Sequence, residues 1–448
     1  MAKKKLVLVN PVNPVRTGLT INKSSRFPPL GLGMVAALTP ESFDVEIIDE
    51  NWEPFAHRPA DLVGITAFTA SANRAYEIAG MYRKSGVPVV MGGIHASMRP
   101  EEALEFVDAV VVGEAEAVWP KILEDFRAKR LKRSYRGEWN ELSGLPFPRR
   151  DLFHPGYMFA SVQTSRGCPM DCEFCSVTAF NGKRYRRRPP EEVLEELERI
   201  PQKMIFFVDD NIIGYGEESR EDVLALFRGM VRRKLKKWWF CQASLNFADD
   251  PEVLRWAGKA GCKMVFLGLE AEKDAILKEV NKRLNLKKGA AAYAEAFGRI
   301  HRAGIAVLGA FIFGMESDTP ETIERRADYM IRSGVDVMQA TFMTPLPGTR
   351  LFTSLEKDGR LLYTRFPADW DRYDMTEVTH KPLLMSPSDL YRAMYGSVRR
   401  MYSWPVLMAK SSRTLRATRN PMAMMFAWQS NFNYRNIAMS SSKNFKGF

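Results

Sequence analysis

Three cysteines with the spacing Cys-x3-Cys-x2-Cys are the residues of this chain that point most directly to chemistry. Cys168, Cys172 and Cys175 lie within eight consecutive residues. Such a short loop can gather three thiolates around one iron-sulfur cluster, whose irons usually take four cysteine ligands. A trio therefore leaves one iron open to a ligand that is not protein, and a reaction can begin at that iron.

A structural zinc site is the main alternative for these thiols. Such sites usually close their tetrahedron with a fourth Cys or a His at similar spacing. The next cysteine here is Cys241, and the next histidine is His301. Five cysteines in 448 residues are also too few for a disulfide-stapled secreted domain. We therefore expect reduced thiols that hold a cluster.

The cysteine loop resembles the signature of the radical S-adenosylmethionine (SAM) enzymes, in which an aromatic residue, here Phe174, precedes the third cysteine. The resemblance implies that the three cysteines bind a [4Fe-4S] cluster and that the amine and carboxylate of SAM occupy the fourth iron. Electron transfer, from a donor such as flavodoxin or ferredoxin, then cleaves SAM to a 5'-deoxyadenosyl radical.

The sequence around and after this loop alternates apolar runs with helical patterns, as a parallel barrel requires. We predict a partial (βα)6 barrel of the TIM type over residues 156–350, with strands over Phe159–Gln163, Met204–Val208, Trp239–Ala243, Met264–Leu269, Ala306–Phe313 and Val335–Met343. Active residues of parallel barrels collect where strands end. The resemblance assigns SAM binding to Phe174, Asp209, Asp210, Asn211, Gln242, Ser244, Glu270, Gly309, Ile312 and Gly314.

A different α/β unit precedes the barrel. Strands alternate with helices from Leu6 to Phe126, which predicts an open, doubly wound, Rossmann-like sheet over residues 1–136, followed by a linker over residues 137–155. Ligands of such sheets bind beyond the carboxyl ends of the strands. The segments there resemble the N-terminal cobalamin-binding domain of a large radical SAM subclass. The resemblance implies cobalamin contacts from Asn10, Pro29, Leu30, Gly31, Thr66, Ala67, Gly92, Gly93, His95, Gly113 and Glu114.

Two features separate this chain from related classes. The Asp-x-His-x-x-Gly motif by which many cobalamin proteins supply a histidine to cobalt is absent, since no histidine precedes His57. We therefore expect cobalt without a protein imidazole, although ligation by His95 stays open. Methylthiotransferases that modify transfer RNA share the cysteine loop but carry a second cysteine trio in their N-terminal domain. No cysteine precedes Cys168, which argues against that class.

The final part of the chain, residues 351–448, is predicted to be a mainly helical, basic extension. Residues 381–448 contain eleven Lys or Arg and one acid, so they supply +10 of the net charge of +12. Basic residues mixed with methionine and aromatic residues fit an anionic lipid surface, and a folded cap on the barrel is the alternative. No apolar run is long enough to span a bilayer, and no signal peptide is apparent. We expect a cytoplasmic protein with peripheral membrane contact and no nucleic-acid partner.

Together these features predict a cobalamin-dependent radical SAM enzyme. The leading reaction is methylation of an unactivated carbon of a small hydrophobic molecule that is lipid-like, an isoprenoid or a tetrapyrrole. The adenosyl radical would make a substrate radical, which would take a methyl group from methylcobalamin. Ring formation, ring contraction or oxidation without methyl transfer is the first alternative. An iron-sulfur sensor that binds a membrane or nucleic acid is the second.

Overall fold

The N-terminal part of the computed structural model, which describes residues 3–13 and 26–441, is a six-stranded parallel sheet. The strand order is β2-β1-β3-β4-β5-β6. Doubly wound sheets whose strand order starts with 2-1-3 bind ligands at the switch point between β1 and β3. The strands are β1 Lys4–Asn10, β2 Phe43–Asp49, β3 Leu62–Thr66, β4 Val89–Gly92, β5 Ala109–Val112 and β6 Ser134–Arg136. The helices are α1 Leu30–Ala37, α2 Ala72–Lys84, α3 Ile94–Met98, α4 Pro100–Phe106 and α5 Trp119–Arg127.

Helices cover both faces of this sheet. Leu6 and Leu8 of β1 lie in the apolar core that includes α5, whereas Val7 and Val9 lie in the core that includes α2. Successive side chains of a strand point to opposite faces, so both faces of β1 are buried. This explains why its sequence is a continuous apolar run. The predicted doubly wound fold is confirmed.

The second sheet has six parallel strands that lie side by side in chain order, which is the predicted partial barrel. Its strands are β7 Phe159–Val162, β10 Met204–Phe207, β11 Trp238–Ala243, β12 Cys262–Glu270, β13 Ala306–Phe313 and β14 Val337–Phe342. A short antiparallel ribbon consists of β8 Ser165–Arg166 and β9 Arg186–Arg187. The helices are α6 Ser176–Asn181, α7 Pro190–Arg199, α8 Gly216–Arg232, α9 Pro251–Ala260, α10 Asp274–Glu279, α11 Arg283–Lys288, α12 Tyr293–Arg302, α13 Pro320–Arg332 and α14 Arg350–Lys357.

The barrel strands present alternate residues to the inside and the outside. Cys241 and Val265 pair in register and belong to the core beneath the helices. The residues that precede these two core positions are Phe240 on β11 and Met264 on β12, and they also pair in register. Both line a central cavity, together with Phe206 on the neighbouring strand β10. The barrel therefore encloses space for ligands as well as side chains.

The C-terminal extension is mainly helical, as predicted, and contributes to both cores. Helices α15 Pro387–Met401, α16 Trp404–Thr418 and α17 Pro421–Ser441 lie against the barrel. A capping box between Ser386 and Asp389 begins α15. The part before α15 supplies side chains to the core of the N-terminal sheet, namely Phe352, Leu355, Leu361, Trp370 and Tyr373. The extension thereby fastens the two units together.

Helix α17 closes the open side of the barrel next to β14. The backbone N–H of Met338 donates to Asn431 Oδ1 at 3.3 Å, and Asn431 Nδ2 donates to the carbonyl oxygen of Asp336 at 2.8 Å. These bonds satisfy backbone groups on an edge strand of the sheet. Ala423 and Ala427 of α17 pack on inward-facing side chains of β12 and β13. The helix is thus part of the barrel interior.

Candidate functional site

The three cysteines lie in the loop between β8 and α6, beyond the carboxyl end of β7. The backbone N–H of Cys168 donates to Gly182 O at 3.1 Å, and that of Cys175 donates to Cys172 O at 3.3 Å. Gly167 has a φ of +91°, and a Cβ there would lie 2.0 Å from a backbone carbonyl oxygen across the loop. Only glycine fits this turn, so Gly167 fixes the position of the first thiol.

The three thiols are half-buried and interact electrostatically with one another. Burial raises the pKa of Cys172 above its usual range and raises the pKa of Cys175 to about 12. Such thiols stay protonated unless a bound cation stabilises the thiolate, as a coordinated metal does. The donor set, three thiols in one loop, fits a cluster with one open iron. This fit rests on the residue types and their loop spacing, because in the described part of the chain the side chains of three or more Cys, His, Asp or Glu residues do not converge around a single metal ion.

Two of the residues predicted to bind SAM line the central cavity. Asp210 follows β10, and Gln242 belongs to β11. Asn181 Nδ2 donates to Asp210 Oδ2 at 3.2 Å, and burial raises the Asp210 pKa to about 6. This carboxyl group near the cluster loop is therefore mostly ionised at neutral pH and would attract a cationic ligand group.

Two neighbours of that carboxylate, Asp209 and Asn211, order the ends of the strands. Asp209 is fully buried and accepts hydrogen bonds from Thr164 N–H at 2.7 Å and from Ser165 Oγ at 2.8 Å, so it connects β10 to the approach to the cluster loop. Asn211, also fully buried, accepts from Ser244 N–H at 3.2 Å. Direct contact of these two side chains with SAM remains a prediction.

Glu270 ends β12 in a left-handed backbone conformation, with a φ of +63°, where the pairing with β13 shifts. A non-glycine residue in this conformation often marks a functional constraint. Glu270 Oε1 accepts from Lys282 Nζ at 2.6 Å. Burial disfavours the ammonium group, but the charge of Glu270 and the Cys172 thiol raise the Lys282 pKa. Sequence reasoning missed Lys282, because a lysine before a short helix carries no signal that it reaches back to a strand.

The remaining residues predicted to bind SAM make packing contacts in this structure. A Cβ at Gly309 would lie 2.9 Å from a leucine side chain of β12, which places Gly309 against its neighbours in the sheet. Gly314 has a φ of +96°, and its carbonyl oxygen lies 3.1 Å from His380 Nε2. Ile312 belongs to the barrel core, and Phe174 packs against it. A role in SAM binding stays a prediction for these four residues.

Tyr215, which sequence reasoning missed, lies beside the first cluster cysteine. Its hydroxyl is 3.8 Å from Cys168 Sγ and 3.3 Å from Ser244 Oγ. Tyr215 precedes α8 and Ser244 follows β11, so two strand-to-helix connections converge on this thiol. A hydroxyl here can donate a hydrogen bond to a cysteine sulfur, and such bonds tune iron-sulfur clusters.

Ten of the eleven residues predicted to bind cobalamin meet along one wall of the cavity, which we call the cobalamin wall, at the carboxyl ends of the N-terminal strands and at the start of α1. Those that line it are Asn10, Pro29, Leu30, Gly31, Thr66, Ala67, Gly92, Gly93, Gly113 and Glu114. A Cβ at Gly31 would have no atom of the described chain within 4 Å. Gly93 has a φ of +92°, and a Cβ there would lie 2.7 Å from the Thr66 side chain, so the turn after β4 requires glycine. Phe68, which sequence reasoning missed, is 73% exposed on this wall. The open, glycine-rich surface fits a broad ring such as a corrin.

His95 lies inside the N-terminal unit. Its buried ring has Nε2 at 3.0 Å from Tyr76 Oη and 3.3 Å from Glu102 Oε1, and Nδ1 at 3.4 Å from Thr69 Oγ1. Trp370 Nε1 donates to the same Glu102 oxygen at 2.9 Å. Both ring nitrogens therefore have protein partners, and cobalt or cobalamin binding by His95 stays a prediction that this geometry does not favour.

One continuous cavity of about 1550 Å³ joins the cobalamin wall, the region beside the cluster loop and the inside of the barrel. Its floor is a cluster of phenylalanines from the barrel, the N-terminal part and α17, namely Phe27, Phe159, Phe206, Phe240 and Phe426. Phe206 and Phe240 stack with ring centroids 4.3 Å apart. An apolar cavity of this size can hold a hydrophobic molecule beside large cofactors.

Two family models match the chain. The B12 binding domain matches residues 16–123, which include most of the cobalamin wall. The Radical SAM superfamily matches residues 162–330, which include the cysteine loop and the strand ends that follow it. The chain therefore has both of the domain types that the sequence motifs predict, in the predicted order.

Methyltransferases are among the proteins that this chain resembles. The bacteriochlorophyllide d C-12(1)-methyltransferase of Chlorobaculum tepidum is 29% identical over 431 residues, which cover 91% of this chain and 90% of that protein. The hopanoid C-2 methylase of Rhodopseudomonas palustris is 29% identical over 351 residues, which cover 75% of this chain and 66% of that protein. The structure of TsrM from Kitasatospora setae, a radical SAM methyltransferase with cobalamin and a [4Fe-4S] cluster bound, has a TM-score of 0.63 at 19% identity. The match covers 99% of this chain and 100% of that one, so the fold is shared.

Proposed function

We propose that this chain, which belongs to the cobalamin-dependent radical SAM enzymes, is a methyltransferase that acts on a carbon atom of a small hydrophobic molecule. One observation carries the proposal: the cobalamin wall, the region beside the cluster loop and the phenylalanine floor all open into the same cavity. A substrate on the floor would therefore face both cofactors. The names of the similar methyltransferases, which act on a bacteriochlorophyllide and on hopanoids, support a hydrophobic substrate.

The chain's own residues would divide the work among three places. Cys168, Cys172 and Cys175 would hold the cluster, and Asp210 with Gln242 would meet SAM near it. The glycine-rich wall would hold cobalamin by its shape, without a histidine. When bound, SAM and the cluster supply a 5'-deoxyadenosyl radical, and cobalamin supplies a methyl group. The protein aligns these groups and keeps water away from them.

The barrel floor supports a substrate with a large apolar body, such as an isoprenoid or a tetrapyrrole. Aromatic side chains from three adjacent strands form the floor, and α17 adds Phe426. Gln429 and Asn433, one helical turn apart on α17, also line the cavity. Their amides are uncharged donors and acceptors, so they suit a neutral polar group on an otherwise apolar molecule.

Anaerobic reconstitution tests this function. The protein would be loaded with iron, sulfide and hydroxocobalamin, then given a reductant, SAM with a deuterated methyl group, and an extract of lipids and pigments. We expect both S-adenosylhomocysteine and 5'-deoxyadenosine, and a product that gains the labelled methyl group. A Cys175→Ala variant serves as the control without a cluster.

Two other results would contradict the methyltransferase. Formation of 5'-deoxyadenosine without S-adenosylhomocysteine would favour a ring-forming or oxidative enzyme. Absence of both products with every extract would favour the iron-sulfur sensor. A comparison of metabolites between strains with and without the gene, searched for a difference of one methylene unit, would then identify the substrate.

We also propose that the enzyme takes electrons from a flavodoxin or ferredoxin and works in the cytoplasm, in contact with the membrane through α16. None of the described helices is long and apolar enough to cross a bilayer. Trp404, Met408 and Leu415 lie on one face of α16 and are 47%, 60% and 40% exposed. Arg416 and Arg419, both exposed, lie beside this stripe. Basic and large apolar residues together fit a surface of anionic lipid.

Flotation with anionic vesicles tests the membrane contact. We expect the protein to float with the vesicles, and we expect Met408→Asp to reduce the bound fraction at least tenfold, because it places a negative charge in the stripe. Leu384→Asp, at a leucine of similar exposure outside α16, is the control and should bind like the unaltered protein. If the unaltered protein stays at the bottom of the gradient, the membrane proposal is wrong.

A further inference from the structure

Three ion pairs among four side chains join the cobalamin wall to the cluster loop. Their four members, which we call the bridging cluster, are Glu114 and Glu116 from the turn after β5 and Arg166 and Arg186 from the ribbon β8–β9. The acids belong to the N-terminal unit, and the arginines belong to the barrel. The bridging cluster is therefore a direct contact between the parts that carry the two cofactor sites.

The geometry of the bridging cluster is well defined. Arg186 donates from Nη2 to Glu114 Oε1 at 2.6 Å and from Nη1 to Glu114 Oε2 at 3.0 Å, and these side chains are 1% and 4% exposed. Arg166 Nη1 lies 3.2 Å from the same Glu114 Oε2, and Arg166 Nη2 donates to Glu116 Oε1 at 2.5 Å. Burial opposes the ionisation of Glu116, but Arg166 holds its pKa below the usual range. The positive charges of the two arginines thus neutralise the negative charges of the two glutamates.

Stability alone is a weak reason to build such a contact. Removing four charged groups from water costs several kcal/mol per ion, and apolar residues of similar volume often stabilise an interface as well or better. The two parallel hydrogen bonds between the Arg186 guanidinium and the Glu114 carboxylate instead provide a fixed geometry. The bridging cluster therefore restricts how the two units sit against each other.

The bridging cluster also continues into both cofactor sites. Arg166 lies two residues before Cys168, and the intervening Gly167 is held in its left-handed turn. Arg166 Nε donates to Gln163 Oε1 at 2.8 Å, and both residues line the cavity. On the other side, Glu114 follows Gly113, which belongs to the cobalamin wall. A short path of hydrogen bonds and backbone thus runs from the wall to the first cluster ligand.

We propose that Arg166 and Glu116 are positioning residues that set the distance and orientation of cobalamin relative to the iron-sulfur cluster. Loosening this pair would leave both cofactor sites intact but would let the wall and the cluster loop shift against each other. The inference rests on the cofactor pair of the proposed function and is independent of the substrate and of methyl transfer.

Pulsed electron paramagnetic resonance on the full chain tests the proposal. The probes are hydroxocobalamin reduced to its paramagnetic Co(II) form and the reconstituted cluster in its reduced state, both bound to the protein. We expect a single narrow distance between the two spins in the unaltered protein. Glu116→Gln keeps the shape of the side chain and removes its charge, so we expect a broadened or displaced distance with normal cobalamin and iron content. Arg166→Lys keeps the charge but loses the planar fork, so we expect an intermediate result.

A matched control is available in the same region. Arg184 and Glu141 form another ion pair between the barrel part and the linker, but their side chains are 72% and 59% exposed. Exposed pairs of this kind contribute little, so Arg184→Gln should leave the distance unchanged. If Glu116→Gln also leaves the distance unchanged with both cofactors bound, the positioning role is wrong. If Glu116→Gln prevents loading of either cofactor, the bridging cluster builds the sites themselves and the proposal is likewise wrong.

The rate of S-adenosylhomocysteine formation provides a second readout. We expect Glu116→Gln to lower this rate at least tenfold, while the rate of 5'-deoxyadenosine formation changes less than twofold. The reason is that only S-adenosylhomocysteine formation requires a methyl group to pass from SAM to cobalamin. An equal loss of both products would contradict a role in cofactor alignment. Failure of the methyltransferase proposal would not change the distance measurement, so the two ideas can be rejected separately.

Discussion

Replacing Gly31 by tryptophan should weaken cobalamin binding strongly and leave the fold intact. Gly31 is the second residue of α1, is exposed, and lines the cobalamin wall. A Cβ at this position would have no described atom within 4 Å, and Gly31 lines the cavity, so we expect an indole attached there to project into the cavity. Its volume would then occupy space that the corrin ring needs.

The expected loss follows from the contact area. An aromatic side chain of this size covers about 200 Å², and apolar contact is worth about 25 cal/mol per Å², which gives about 5 kcal/mol. Binding energies rarely realise the full area value. At half of it, and with a tenfold change for every 1.4 kcal/mol, cobalamin affinity falls by about 50-fold.

Equilibrium binding of hydroxocobalamin, followed by its visible absorption after gel filtration, measures this effect. Gly396→Trp is the matched control, because Gly396 is also an exposed helical glycine with no described atom within 4 Å of its Cβ position, but it lies in α15. Replacing glycine stabilises either helix by roughly 0.5 kcal/mol. If Gly31→Trp binds cobalamin as tightly as Gly396→Trp, the assignment of the wall is wrong.

Three further predictions concern the cluster, a buried carboxyl group and α17. Tyr215→Phe should move the reduction potential of the reconstituted cluster to more negative values in a redox titration followed by electron paramagnetic resonance, because it removes a hydrogen-bond donor next to Cys168 Sγ. The contribution of Asp210 to the stability of the cofactor-free protein should fall as pH rises from 4 to 6, because the Asp210 pKa is raised from 3.8 to about 6 and the folded state holds its proton longer. Asp210→Asn should remove up to about 3 kcal/mol of this dependence in urea titrations. Asn431→Ala should lower the free energy of unfolding by about 2 kcal/mol, because it leaves the buried N–H of Met338 and C=O of Asp336 without their partner.

Each of these predictions has a control and a result that would refute it. Tyr185 lies near Tyr215 but donates to Asn211 O at 2.8 Å, so a shift of the potential in Tyr185→Phe as large as that in Tyr215→Phe would refute the sulfur contact. A pH profile that is the same in Asp210→Asn and in the unaltered protein would show that this carboxyl group titrates normally. Gln429→Ala, at an exposed position of α17, should leave stability within about 0.5 kcal/mol, and an equal loss in both α17 variants would refute the edge-strand contact.

The strands and the order of the ligand sites were predictable because they depend on local sequence. The apolar runs of both sheets match observed strands, and the cysteine loop follows β7 as expected. Gly93 and Gly113 lie on the predicted wall, because the turns after β4 and β5 need glycine there.

The side chains that form contacts between distant parts were not predictable in this way. The carboxylate of Glu114 is bound by Arg186, which is 72 residues away in sequence, and the predicted cobalamin contact of Glu114 gave no indication of this pair. Asp209 and Asp210 are adjacent, yet only Asp210 lines the cavity, because successive positions beyond a strand point to opposite sides. The closure of the barrel by α17 depends on Asn431 meeting an edge strand 95 residues earlier. A single sequence holds no signal for such pairs.

The composition of the extension was also insufficient to decide between a folded cap and a membrane surface. Tyr391, Met394 and Met401 are buried against the barrel, whereas Met408 is 60% exposed. Both kinds of residue look alike in a composition, and only the helical packing separates them. The extension is thus a folded cap, and the proposed lipid contact is limited to one face of α16.

Metal and cobalamin analysis of anaerobically reconstituted protein is the measurement that tests most directly whether two separate cofactor sites share one cavity. The unaltered chain should hold about four irons with matching sulfide and one cobalamin. Replacing Cys168, Cys172 and Cys175 by alanine should remove the iron and leave cobalamin bound, while Gly31→Trp should keep the iron and bind cobalamin about 50-fold more weakly. Iron that persists without the three thiols, or zinc in its place in the unaltered chain, would contradict this assignment.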